Sequence, residues 1–197
     1  MTRIFIEAKH EKTSESVFIH TLLKHIGKDS KSFEVIHVDG KDNLKNNKVK
    51  FQENTLTGGR NLVVFDADTP ESGWGYEATK KRILSTFSDD VKIDDLFLYP
   101  NNQDDGVFEN LLERLMQKEK HSRFFDCFTD YENCLGDEYV SPDLKGKLHT
   151  YMSAQKSLSN KERKNLGSGQ WLFDDERFWN LDSEDLKPLR EFFMSNI

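Results

Sequence analysis

The sequence lacks an apolar stretch long enough to cross a lipid bilayer. Its longest apolar runs are short segments such as residues 62–65 (LVVF), whereas a membrane-spanning helix needs roughly 20 apolar residues. The opening residues, MTRIFIEAKHEK, place Glu7, Lys9 and Glu11 where a secretory signal would have its apolar core. We therefore expect no membrane span and a cytoplasmic protein.

Cysteine is scarce, and the two cysteines form no recognised pattern. Cys127 and Cys134 are seven positions apart, a spacing of two helical turns that fits neither a disulfide framework nor a zinc site. We expect both to be half-buried side chains of one helix.

Positive charge is in deficit. The chain has 28 Lys and Arg against 35 Asp and Glu, which gives a net charge of −7. This balance argues against a passive nucleic-acid coat, because phosphate affinity comes mainly from Lys and Arg. It leaves open an enzyme that meets phosphate through a carboxylate-bound cation.

Aromatic side chains, by contrast, are abundant. The chain has 15 Phe, 5 Tyr and 3 Trp among its 197 residues, so a sizeable core is possible although only 36% of the residues are hydrophobic. Disorder of the whole chain is excluded. Trp74, Trp171 and Trp179 could stack on bases, but in so Phe-rich a chain core positions are the expectation.

The first half of the chain alternates short apolar runs with helical patterns, which is typical of a parallel α/β sheet. Strands are predicted at residues 3–6, 33–38, 61–65 and 95–99. Helices are predicted at residues 14–26, with Ser14 as a possible cap and Gly27 at the end, and at residues 76–87 as a crossover. Residues 40–59 are polar and could hold a short helix plus an irregular loop.

The second half reads as helical. After Gly106, the segment VFENLLERLMQ is strongly amphipathic, and no strand is predicted beyond about Lys118. Further helices are predicted at residues 124–135, 142–156 and 183–193, and the polar stretch 158–169 is expected to be a loop that serves as a lid or a linker. The fold class is thus a Rossmann-like α/β core of about four mainly parallel strands flanked by helices, at residues 1–116, with a helical extension at residues 117–197 packed on it.

Acidic side chains follow the predicted strands. Glu7 follows the first strand, Asp39 the second, Asp66 and Asp68 the third, and the polar cluster 101–105 the fourth. Ligands of parallel sheets gather at the carboxyl ends of the strands. Asp66 and Asp68, two positions apart on extended chain, can point the same way and converge on one hard cation such as Mg²⁺. The alternative is that both only end the strand and cap the next turn.

The ordered set of strand-end acids resembles the Toprim domain shared by topoisomerases, primases and the overcoming-lysogenisation-defect nucleases. Glu7 closes the first strand, and the Asp66-x-Asp68 pair follows the third. The chain is also similar to a small stand-alone Toprim-like family of unknown function, and the likeness covers about residues 3–116. The segments that carry it are IFIEAK, HVDGKDNL, VVFDADTPESGWG, LFLYPNNQDDGVFENLL and, beyond the core, KLHTYMSAQK.

The resemblance implies roles for individual residues. Glu7 would be a general acid/base or a metal ligand, and Asp66 and Asp68 would be the metal-binding pair. Glu109 corresponds to an acid that follows the fourth strand in nuclease relatives, although at a helix start it also suits the helix dipole. Lys156 is the favoured candidate for a phosphate-facing lysine, ahead of Lys147. The implied cofactor is Mg²⁺ or Mn²⁺.

Two functions follow from these patterns. The first is a Mg²⁺-dependent phosphotransfer enzyme, most simply a nuclease that acts on DNA or RNA, with a basic strip such as residues 161–164 (KERK) to hold the substrate. The second is a catalytically degenerate Toprim-like module that binds a protein partner or a ligand. Ala8 supports the second, because Toprim domains usually carry glycine at that position.

Overall fold

The alternating apolar runs form one four-stranded sheet. A computed structural model describes residues 1–87 and 91–197 of the chain. Its strands are β1 (Thr2–Ile6), β2 (Phe33–His37), β3 (Arg60–Asp66) and β4 (Asp95–Tyr99). All strand pairs are parallel, and the order across the sheet is β2-β1-β3-β4. The predicted α/β class is therefore confirmed, with every strand within one residue of its predicted bounds.

Eight α-helices surround this sheet in the described part of the chain. They are α1 (Ser14–His25), α2 (Lys48–Leu56), α3 (Tyr76–Leu84), α4 (Phe108–Leu115), α5 (Ser122–Leu135), α6 (Leu144–Ser153), α7 (Asn160–Leu166) and α8 (Lys187–Asn196). A 3-10 helix at Lys41–Asn47 runs directly into α2, so the polar segment 40–59 is more ordered than its composition indicates. No helix within residues 1–87 and 91–197 is long and apolar enough to cross a membrane.

The sheet buries both faces, because successive side chains of a strand point to opposite sides. On one face Ile4, Ile6 and Val64 join a cluster that includes side chains of α1, α4, α6 and α8. On the other face Phe5 and Val63 join a smaller cluster that includes side chains of α2 and α3. Because helices cover both faces of the sheet, the carboxyl ends of the strands are the place to look for a ligand site.

The C-terminal part of the chain shares the larger cluster with the sheet. Phe18 of α1 lies 5.2 Å, between ring centroids, from both Phe108 of α4 and Phe173 of the C-terminal part. Trp171 and Trp179 are buried in the same cluster, which confirms the core role expected for them. A domain boundary at residue 116 stays a prediction.

Two local predictions were wrong. The polar stretch 158–169 contains α7, whose start is fixed by a reciprocal capping box between Ser159 and Glu162. Leu158 and Leu166 anchor the segment in the core, so neither a lid nor a linker describes it. Cys127 and Cys134 do share one helix, α5, but both are exposed rather than half-buried.

Removing Phe18 tests whether the two parts of the chain share one core. Phe18→Ala should lower the free energy of unfolding by about 3–5 kcal/mol, because the cavity that it leaves is lined by both parts. Urea titrations followed by far-UV circular dichroism and by tryptophan fluorescence measure this loss, and both signals should shift together. Leu56→Ala, at an 86% exposed position, is the matched control. A loss seen by only one signal would contradict a shared core.

Candidate functional site

Three of the predicted acids meet at the carboxyl end of the sheet. Because β1 and β3 are adjacent and parallel, Glu7, which follows β1, faces Asp68, which lies two residues past the end of β3. The Lys41 ammonium joins them: it forms an ion pair with Asp68 and lies 3.6 Å from Glu7 Oε2. The Glu7 and Asp68 side chains are 28% and 27% exposed, whereas Lys41 is 7% exposed. Both side chains are thus partly exposed, although Glu7 Oε2 itself is buried, and the buried ammonium of Lys41 lies between them.

The backbone after β2 places Lys41 there. Asp39 and Gly40 both have positive φ, 60° and 99°, a conformation that glycine and aspartate adopt more readily than most residues. The amides of Asp39 and Gly40 donate to the carbonyls of Ala8 and Glu7, at 3.2 and 3.1 Å. This turn fixes the start of the 3-10 helix against Glu7, whose carboxylate Lys41 contacts.

Asp66 occupies a different part of the site. Its Oδ1 accepts a hydrogen bond of 2.7 Å from the backbone amide of Phe108, the first residue of α4, where helix amides otherwise lack partners. Glu109, the next residue of α4, lies 3.7 Å from the Lys145 ammonium. Asp66 therefore caps α4 and not the turn after β3 that was considered as its alternative role. With Glu7, Asp68 and Glu109 it forms what we call the acidic cluster.

Sequence reasoning missed Glu15, which extends the cluster inward. Glu15 stands in the first turn of α1, and its Oε2 accepts a hydrogen bond of 2.9 Å from the amide of Ala8. Three buried polar atoms here find no hydrogen-bond partner among the described residues: Glu7 Oε2, Glu15 Oε1 and the Tyr99 hydroxyl. Buried polar atoms without partners are uncommon in folded proteins, so their concentration at one place marks it as a candidate site.

The crowding of these acids changes their protonation. Burial, together with repulsion from Glu7, raises the pKa of Asp66 from 3.8 to about 8. Burial also raises the pKa of Glu7, although Lys41 opposes this, and it raises the pKa of Glu15 well above its ordinary value, with Asp66 as the next cause. At neutral pH Asp66 therefore holds its proton unless a further cation approaches it.

Trp74 covers the outer side of the site. It lies between Gly73 and Gly75, which have φ of 81° and 100°, in the loop between Asp68 and α3. The Lys41 ammonium lies 5.2 Å and the Arg82 guanidinium 3.6 Å from the centroid of its ring, distances typical of cation–π contacts. Trp74 thus holds Lys41 in place from a second direction.

The polar loop after β4 has structural partners. Asp105 accepts a 2.6 Å hydrogen bond from the amide of Tyr76 and so serves the start of α3. The Asn101 side-chain oxygen accepts from the amides of Gln103 and Asp104. Gly106 forms a β-bridge with Asp68, which ties this loop to the site. The tight-loop interpretation of residues 101–105 accounts for these contacts.

The structure does not bring Lys156 among the acids. Lys156 is exposed just beyond the end of α6, and roughly 15 Å of helix separates it from Lys145 at the other end. Lys147 forms a 3.1 Å ion pair with Glu113. Within the described residues, the lysines that contact the cluster are Lys41 and Lys145, and neither was singled out from the sequence.

The donor set suits a hard divalent cation. Every candidate ligand is a carboxylate oxygen, and one of them, Glu7 Oε2, is buried without a hydrogen bond. The Lys41 ammonium already lies against Glu7 and Asp68. Mg²⁺ keeps several waters and commonly takes only one or two protein carboxylates, so this pair fits it. No group of three or more His, Cys, Asp or Glu residues in the described ranges is arranged to hold a metal ion.

The raised pKa of Asp66 predicts how stability depends on pH in the absence of metal. The folded protein binds this proton more tightly than the unfolded chain, so the free energy of unfolding falls as pH rises from about 4 to 8, by up to about 1.4 kcal/mol per pH unit while Asp66 titrates. Urea unfolding in EDTA at several pH values measures the slope. Asp66→Asn should make it shallower, and Asp130→Asn, on the exposed face of α5, should not. Equal slopes in all three proteins would contradict the crowding.

Comparison with known proteins gives a family. A search of the curated proteins and a search of the solved structures each found no match to this chain. The family model described as "Protein of unknown function (DUF3226)" matches residues 2–196, which is nearly the whole chain and includes every residue of the acidic cluster. The chain therefore belongs to the family described by that model.

Proposed function

We propose that the acidic cluster is the site of a Mg²⁺- or Mn²⁺-dependent phosphotransfer reaction, most simply nuclease cleavage of DNA or RNA. The observation that supports it best is the convergence of Glu7 and Asp68, from the ends of two neighbouring strands, on a single positive charge that they share. Their carboxylates are partly exposed, so a phosphate ester can reach them. The resemblance to Toprim domains points to the same chemistry.

The proposed role of each residue follows from its surroundings. Glu7 and Asp68 would hold the cation, which when bound would lower the pKa of a water and neutralise charge on a phosphoryl oxygen. Glu109, in the first turn of α4, would add negative charge, and Asp66 would keep the helix in place through its hydrogen bond from the Phe108 amide. Alternatively Glu7, whose pKa burial raises, would transfer a proton and leave the cation to Asp68.

Binding of a nucleic acid requires positive charge, whereas the net charge of the chain is −7. An exposed group of lysines, the basic strip, would supply that positive charge. We define it as Lys120, Lys156, Lys161 and Lys164, all exposed. Lys120 lines the same shallow pocket as Gln155 and Ser157, which flank Lys156. Arg163 of α7 donates hydrogen bonds to the carbonyls of Ser153 and Gln155 and so holds the strip together. In this proposal Lys156 contacts the phosphate backbone outside the reacting centre.

The proposal also includes the compartment. Two free and exposed cysteines, Cys127 and Cys134, suit a reducing environment, so we place the reaction in the cytoplasm.

A second candidate function is a module that binds a protein or ligand without catalysis. Lys41 favours it, because an ammonium that already neutralises Glu7 and Asp68 removes part of the drive for metal binding. Ala8 favours it as well, since it stands where Toprim domains usually have glycine. Metal binding and cleavage assays distinguish the two functions.

Asp68→Asn tests the catalytic proposal. The wild-type protein should cleave labelled single- or double-stranded oligonucleotides with Mg²⁺ or Mn²⁺ and not with EDTA. Asp68→Asn should lower the rate by about two orders of magnitude or more, because a charge aimed at the reacting centre is lost, and Asp130→Asn should leave it unchanged. Absence of metal-dependent cleavage in the wild type would reject the enzyme in favour of the binding module, and an equal rate in Asp68→Asn would reject Asp68 as a residue of the reacting centre.

Neutralising two lysines tests the basic strip separately from catalysis. Binding of a labelled single strand is measured in EDTA at several salt concentrations. The double substitution Lys156→Gln with Lys161→Gln should weaken binding and reduce the slope of log affinity against log salt by about 0.7 for each lysine. Lys31→Gln with Lys187→Gln, two exposed lysines outside the strip, is the charge-matched control. An equal effect of the two double variants would show that only overall charge matters.

A further inference from the structure

The side chain of Lys41 has little solvent exposure for a lysine. Its side chain is 7% exposed, against 67% for Lys145, which contacts Glu109, and 71% for Lys9, which contacts Asp39. Burial of an ammonium is costly unless it is paired. Glu7, Asp68 and the ring of Trp74 surround Lys41 and offset that cost.

We propose that Lys41 is a built-in counter-ion which occupies the position of the divalent cation, so that the metal binds only as the ammonium leaves. This inference rests on the proposed function. Its basis is that both cations require the same two carboxylates: the Lys41 ammonium pairs with Asp68 and lies 3.6 Å from Glu7 Oε2. A divalent ion bound to both oxygens would meet a like charge at contact distance if Lys41 stayed.

The surroundings of Lys41 explain why the acids tolerate each other without metal. Glu7, Glu15, Asp66, Asp68 and Glu109 lie near one another, and Lys41 is the least exposed cation that contacts them. Lys41 therefore holds the carboxylates of Glu7 and Asp68 together. Once a metal takes over that role, the freed ammonium lies at the mouth of the site, where a substrate phosphate is its natural partner.

The backbone and the side chain of Lys41 differ in their freedom to move. Asp39 and Gly40 fix the backbone by hydrogen bonds to Ala8 and Glu7. The side chain has four flexible methylene groups. Its ammonium contacts two partly exposed carboxylate side chains and an aromatic ring. Displacement thus requires a rotamer change and the loss of the contact with Trp74, and it leaves the 3-10 helix in place.

Metal titrations of Lys41 variants test the competition without reference to catalysis. Mn²⁺ binding is measured by electron paramagnetic resonance and calorimetry. Lys41→Gln should bind Mn²⁺ at least about tenfold more tightly than wild type, because a charge that competes at contact distance is gone. Lys41→Arg, which keeps the charge, should bind no more tightly than wild type. Lys145→Gln, the charge-matched control at the rim, should have a smaller effect than Lys41→Gln.

Stability gives the second readout. In EDTA at pH 8, Lys41→Gln should melt at a lower temperature than wild type. In samples that contain Mn²⁺ instead of EDTA, the melting temperature of Lys41→Gln should rise more than that of the wild type. Adding Asp68→Asn to Lys41→Gln should abolish the tighter binding, which locates the metal at the shared carboxylates. A Lys41→Gln protein that binds Mn²⁺ no more tightly than wild type overturns the counter-ion role.

The outcomes separate this inference from the proposed function. Tight Mn²⁺ binding by Lys41→Gln without cleavage by either protein supports the counter-ion and rejects the enzyme. Metal-dependent cleavage by the wild type with unchanged affinity in Lys41→Gln supports the enzyme and overturns the counter-ion. Failure of both proteins to bind Mn²⁺ at millimolar concentration overturns the counter-ion, because no competition exists at these carboxylates.

Discussion

Repulsion between like charges at one end of the sheet is the constraint on which the rest of this structure depends. Parallel strands bring their carboxyl ends to a common edge, and here β1 and β3 are followed by acids at that edge. Neighbouring carboxylates in a poorly solvated place must be protonated, paired or bridged by a cation. The chain uses the first two: Asp66 and Glu15 have raised pKa values, and Lys41 pairs with the outer acids.

This constraint makes the site two-layered. The outer layer, Glu7 and Asp68 with Lys41, has two partly exposed carboxylate side chains. The inner layer, Glu15, Asp66 and the Tyr99 hydroxyl, is buried and carries polar atoms without partners. Because the layers repel each other electrostatically, a change of cation in the outer layer changes the protonation of the inner one. Metal binding at such a site would release or shift protons as well as charge.

The sequence predicts the sheet and the convergence of its acids better than it predicts their partners. The strands are short, apolar and rich in β-branched and aromatic residues, so period and composition agree. Lys41 follows a strand too, but it lies in a polar segment where one lysine among several has no distinguishing pattern. Glu15 looks like an ordinary first-turn acid of a helix, and only its position in space adds it to the cluster. The helix α7 was hidden by polar composition, although its capping box and its two flanking leucines were legible in the sequence.

The hydrogen bond from the Phe108 amide to Asp66 gives this acid a structural role that does not depend on any chemistry. Asp66 fastens the start of α4 to the end of β3, and a chain that had lost all chemistry would still need this fastening. Asp68 has a side chain directed to Lys41 and a backbone with φ of 60°, a conformation that asparagine or glycine accepts as well. In an alignment of this family, conservation of Asp66 would therefore say little about activity. Conservation of an aspartate at position 68 would say more.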